Sequence, residues 1–152
     1  MGIDGKAPFD SNFGQLHARH VAALTRHLIA CRAAFAGDLD LFLVLTIIGE
    51  RSFSARNAPS GMTEAQFRAS PVSTVAPIAI NLQSIADFSG IPRETVRRKV
   101  ATLVARGWVR RDSAGLLAVT DAAKDSLQPL TDSSARYLRD LLGALGGLAE
   151  PG

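Results

Sequence analysis

Residues 82–101 read LQSIADFSGIPRETVRRKVA, and the organisation of the chain follows from them. Asn81 or Ser84 can cap a short helix containing Leu82, Ile85, Ala86 and Phe88. That helix stops at Ser89-Gly90, because glycine accepts the left-handed backbone of a tight turn. A second helix begins at once. Pro92 sits where a helix's first turn has no use for an N–H, and Glu94 complements the positive end of the helix dipole. Val96, Val100, Leu103 and Val104 recur at helical spacing as one apolar stripe, leaving Arg93, Glu94, Arg97, Arg98 and Ala101 on the other faces. The stripe is expected to pack inward and the arginines to point out.

After Gly107 the period changes from helical to extended: Trp108 to Arg111, a turn at Asp112-Ser113-Ala114-Gly115, then Leu116 to Val119. This predicts a compact β-hairpin over 108–119. Charge concentrates in the same stretch. Arg93 to Arg111 holds seven basic groups against Glu94 alone, a local charge of +6, whereas the other 133 residues hold ten basic and thirteen acidic groups, −3. The overall +3 hides that partition. A basic block on an acidic body is the electrostatic footprint of a site for a polyanion, because each neutralised phosphate releases condensed counterions.

Further out, helices dominate. Residues 1 to 12 read as a flexible tail. From Phe13 to Phe35, Leu16, Val21, Leu24, Leu28 and Ile29 recur at helical period up to Gly37. Asp38 caps a second helix through about Ser52, apolar nearly all round and therefore expected to be buried on most sides. Arg56 to Pro77, with Pro59, Gly61, Pro71 and Pro77, reads as connector with a short helix around Thr63 to Arg68. Thr120 or Asp121 caps a helix through Leu127, Pro129 interrupts it, and Leu130, Leu138, Leu141, Leu142, Leu145 and Leu148 mark a last helix expected to fray at Gly146-Gly147.

A short helix, a glycine turn, a second helix with an outward basic face and a hairpin form the layout of a winged helix-turn-helix, with flanking N- and C-terminal helices and a mainly α fold carrying a small β-wing. The stretch 82–101 resembles the helix-turn-helix of bacterial transcription regulators, with Ala86 at the interhelix contact, Gly90 in the turn and Val96 packing back. Pro92-Arg93-Glu94-Thr95-Val96 followed by Arg98 is similar to the recognition helix of the cyclic-AMP receptor family. Leu103 to Val109, with Thr120-Asp121-Ala122-Ala123 after the wing, resembles MarR-type regulators. The resemblance implies a single winged-helix domain over 13–152, helix-turn-helix 82–106 and wing 108–119, that binds duplex DNA as a homodimer through its outer helices and regulates transcription. Lys99 departs from it, standing where the motif usually has an apolar residue; a slight rotation of the helix, with Val100 taking over the packing, would accommodate it.

Groove dimensions then assign chemistry. A helix fits the major groove, where arginine bonds guanine O6 and N7 and glutamate accepts from cytosine N4. Arg93, Glu94 and either Arg97 or Arg98 are the candidate base readers, and Thr95 is a phosphate donor at the helix start. Arg110 and Arg111 on the wing strand and Ser113 at its tip are placed for the adjacent backbone or minor groove. Arg106, just before the wing, reads either as a salt-bridged or solvated side chain or as a phosphate contact.

Competing constellations are weaker. His20, His27 and Cys31 share a helical face with His17 nearby, a candidate metal or thiol sensor, but a metal site needs further ligands and orienting partners. No GxSxG elbow, phosphate-binding glycine loop or HExxH is present, and no histidine follows Cys31, so the chain does not read as an enzyme and no cofactor is implied. The longest apolar run, Leu41 to Ile48, is far short of a membrane span. Met1 to Gln15 lacks the apolar core of a secretory signal, making the cytoplasm the default location. The other readings are a protein-interaction module with a merely solubilising basic face, and a metal- or thiol-responsive regulator acting through Cys31. A small apolar effector between the dimer helices and the wing is a further possible partner.

Overall fold

The computed structural model describes residues 6–52, 60–72 and 80–149. Its elements are α1 (Lys6–Ser11), α2 (Phe13–Ala34), α3 (Leu39–Ser52), α4 (Glu64–Ala69), α5 (Leu82–Ser89), α6 (Arg93–Ala105), β1 (Val109–Arg111), β2 (Leu117–Val119), α7 (Asp121–Ser126) and α8 (Gln128–Ala149). The fold is mainly helical with a small antiparallel wing, as the sequence implies. The chain divides into two compact units: Gly37–Leu127 forms one, and the segments on either side of it form the other.

In the Gly37–Leu127 unit, α3 packs against α5, α6 and β2, while α5 and α6 pack on each other. Local signals set the ends of these helices. Asp38 Oδ1 accepts from the Leu41 N–H at 2.9 Å, Asn81 Oδ1 from the Ser84 N–H at 2.9 Å, and Thr120 Oγ1 from the Ala123 N–H at 3.3 Å. Thr63 and Gln66 close a reciprocal capping box on α4. Gly90 ends α5 in the left-handed region at φ 75°, its N–H bonded to Ala86 O at 2.9 Å. Val44, Ile48, Ile85, Val96, Val100, Leu103, Val109 and Leu117 form the buried centre.

Not every apolar residue is inside. Leu39 and Leu43 on α3 and Val104 on α6 are exposed, so α3 is less enclosed than its composition suggests, and the packing stripe of α6 narrows to Val96, Val100 and Leu103. The wing pairs Val109 with Val119, Arg110 with Ala118 and Arg111 with Leu117. On its other edge β2 donates from the Leu117 N–H to Ile80 O at 2.9 Å, and all three of its residues are buried. The expected connector at 56–77 falls partly on residues 53–59 and 73–79, which lie outside the described residues.

The other unit consists of α1, α2 and α8. Residues 6–11, within the expected tail, are helical, and Phe9 meets Phe13 edge to face at 5.6 Å. Pro129 lies in the first turn of α8, where it costs no hydrogen bond, so the break falls at Leu127 instead. α8 does not fray at Gly146-Gly147 but runs on to Ala149. His20 Nδ1 meets Tyr137 Oη at 2.9 Å and His27 Nδ1 meets Ser133 Oγ at 3.0 Å, so moving forward along α2 moves backward along α8 and the two helices run antiparallel.

That pairing sorts the remaining side chains. Val21, Leu28, Leu138 and Leu145 each follow by one residue a member of the contact face, His20, His27, Tyr137 and Ala144, and so sit about 100° further around their helices. Equal rotations on antiparallel helices lead to the same side of the pair. All four are exposed there, with Leu142 beside them at 67% exposure. Arg26, Asp132 and Arg136 each precede a contact residue and fall on the opposite side, where they line a groove of about 320 Å³ together with Ala23, Ala30 and Pro129.

Candidate nucleic-acid interface

The turn at Gly90 and the buried Val96, Val100 and Leu103 fix which face of α6 looks outward. Arg93, Glu94, Arg97 and Arg98 are all exposed on it, and Thr95 is half-buried in the first turn. Arg97 is tied to Glu94 by two bonds, Nε to Oε2 at 2.8 Å and Nη2 to Oε1 at 2.6 Å. The hydrogen bond from Arg97 holds the Glu94 carboxyl below the usual carboxylate range. Among the described residues, no carboxylate lies within ion-pair distance of Arg93, Arg98, Arg110 or Arg111.

Lys99 belongs to the interior side of the helix. Its Nζ donates to Asp38 Oδ2 at 2.6 Å, so the lysine that departs from the helix-turn-helix pattern is absorbed by an ion pair to the cap of α3, with Val96 and Val100 both buried beside it. Burial raises the Asp38 pKa, but hydrogen bonds from Lys99 and the Leu41 N–H outweigh it and the net shift is downward. Arg106 is exposed and lies over the Trp108 ring at 5.1 Å, a cation–π contact, and its charge helps to lower the Asp38 pKa.

On the wing, Arg110, Arg111 and Ser113 are exposed. The one acid at the tip is turned into the loop: Asp112 Oδ1 accepts from the N–H groups of Ala114 at 2.9 Å and Leu116 at 2.8 Å. The base of the hairpin is closed by the Thr120 N–H to Trp108 O at 3.0 Å and by Thr120 Oγ1 to Gly107 O at 2.5 Å. Sequence reasoning missed the Lys99–Asp38 pair, the Ile80–β2 bond and the groove along α8, all contacts between distant residues.

The sensor candidates are placed in α2. Cys31 is buried, and burial pushes its thiol up, against a smaller opposing effect from a backbone hydrogen bond. Its Sγ lies 3.7 Å from His27 Nε2, and burial lowers the His27 pKa. His20 is engaged by Tyr137. Among the described residues, no group of three or more His, Cys, Asp or Glu is positioned to hold a metal ion, and no helix is long and apolar enough to cross a membrane.

No curated protein and no solved structure matches the chain. Residues 76–113 match the family model of the IclR helix-turn-helix domain, a winged helix-turn-helix of transcription regulators. The matched segment contains α5, the Gly90 turn, α6 and β1, so the part of the chain that carries the exposed arginines is the part similar to a DNA-binding domain.

Proposed function

We propose that the chain binds duplex DNA sequence-specifically as a homodimer and regulates transcription, with α6 in the major groove and the wing on the flanking backbone. The observation that carries this reading is the exposed outer face of α6, where neither Arg93 nor Arg98 has a described carboxylate within ion-pair distance, within a segment similar to a DNA-binding domain. Arg93 and Arg98 read guanine, Glu94 accepts from cytosine, and Thr95 donates to phosphate. Arg110, Arg111 and Ser113 contact the adjacent backbone or minor groove. The Pro92-Arg93-Glu94-Thr95-Val96 run and Arg98 support a recognition helix of the cyclic-AMP receptor kind, and the long α2 and α8 support a MarR-like dimeric layout.

The test is the salt dependence of binding to random and to selected duplexes. Binding whose logarithm falls linearly with the logarithm of salt, and which Arg93→Ala with Arg98→Ala weakens by tenfold or more on the selected site, supports the reading. No detectable binding to any duplex at low salt overturns it and leaves the protein-interaction module.

A further inference from the structure

Glu94 and Arg97 are three residues apart on α6, both more than half exposed, and joined by two bonds of 2.8 and 2.6 Å from Nε and Nη2 of one guanidinium to the two carboxylate oxygens. Three consequences follow for a helix that enters the major groove. A lone carboxylate there faces phosphates on both sides and is repelled, and the adjacent guanidinium cancels that repulsion. Each Glu94 oxygen accepts one bond from Arg97 and keeps a second lone pair free for the amino group of a base. The pair also orders a flexible side chain before DNA arrives, so less freedom is lost on binding. Arg97, by contrast, has its Nε edge committed, whereas Arg98, the next residue, has no carboxylate within ion-pair distance among the described residues.

We infer that Arg97 is a positioning residue for base readout: its guanidinium holds the Glu94 carboxylate as the cytosine-reading acceptor, and the guanine contacts fall to Arg93 and Arg98. This rests on the DNA-binding reading above, and it settles the choice between Arg97 and Arg98 that the sequence leaves open. Phosphate neutralisation alone makes Arg97 equivalent to lysine. Positioning does not, because an ammonium cannot hold both carboxylate oxygens in one plane.

The experiment selects duplexes from a random pool with the full chain and with Glu94→Gln, Arg97→Ala and Arg97→Lys, each checked for folding by circular dichroism. The expected wild-type motif contains a cytosine whose preference, about tenfold or more, disappears in Glu94→Gln. Arg97→Ala loses preference at that same position while the guanine positions persist. Arg97→Lys keeps the wild-type salt slope and still loses the cytosine preference. A guanine position lost in Arg97→Ala makes Arg97 a base reader and overturns the inference. So does an unchanged cytosine preference in Arg97→Lys, which reduces the pair to surface charge. A wild-type chain that enriches no motif overturns the DNA-binding reading itself, an outcome distinct from both.

Discussion

The Asp38 carboxylate accepts from the Leu41 N–H with one oxygen and from Lys99 with the other, so a single side chain starts α3 and anchors the recognition helix against it. Two substitutions separate these roles. Asp38→Asn keeps the cap, since asparagine and aspartate are near-equal N-caps, and removes the ion pair. Its expected cost at pH 7 is below about 1 kcal/mol, because the two side chains remain 24% and 35% exposed. Asp38→Ala loses both roles and costs about 1–2 kcal/mol. The sign of the pH dependence follows from the lowered pKa of Asp38. Its stabilising contribution is present above the unfolded carboxylate value and disappears as pH falls through the folded one. The gap between wild type and Asp38→Asn therefore closes below about pH 4, and urea denaturation at pH 7 and pH 3 measures it.

At the level of elements, α6 ends in a paired motif. The Trp108 N–H bonds Leu103 O at 3.0 Å and the Gly107 N–H bonds Val104 O at 2.9 Å, with Gly107 at φ 73°. An added Cβ at Gly107 or at Gly90 meets nothing within 4 Å, so Gly107→Ala and Gly90→Ala should each cost only the left-handed backbone penalty, about 1–2 kcal/mol, read from chemical denaturation. The wing makes a different prediction. Arg110→Ala or Arg111→Ala should lower the salt slope of DNA binding by about 1 and leave the selected motif unchanged. These elements were legible because their causes are local: Asn81, Gly90, Gly107 and Thr120 act within a few residues of themselves. The Lys99–Asp38 pair spans 61 residues, and nothing at either position announces the other. The persistence of α8 through Gly146-Gly147 is likewise not written in the local sequence, since each helical glycine costs about 1 kcal/mol, and Ala144 just before the pair is buried to 2% exposure. For the site, charge patterning found the arginines, but only the fold shows which carry a carboxylate partner.

At the scale of the whole molecule, the α1–α2–α8 unit carries an apolar side and a polar side, and the proposed homodimer needs only the first. Val21, Leu28, Leu138, Leu142 and Leu145 lie together on two helices of 22 residues each. Each helix is roughly 33 Å long, and a contiguous apolar strip on a monomer's surface is the kind of patch that marks an interaction site. Pairing this face with its copy is self-complementary, as two-fold symmetry requires. Leu142→Glu is the sharpest probe, because a side chain already 67% exposed can take a charge without unfolding the unit. Sedimentation should show the wild-type chain as a dimer and Leu142→Glu as a monomer with unchanged helix content. Affinity for a two-half-site duplex should fall at least a hundredfold once the second site is no longer tethered. Arg136→Ala, in the groove on the opposite side, should leave the assembly intact. A Leu142→Glu chain that still sediments as a dimer would move the subunit contact off this face, whatever its effect on DNA.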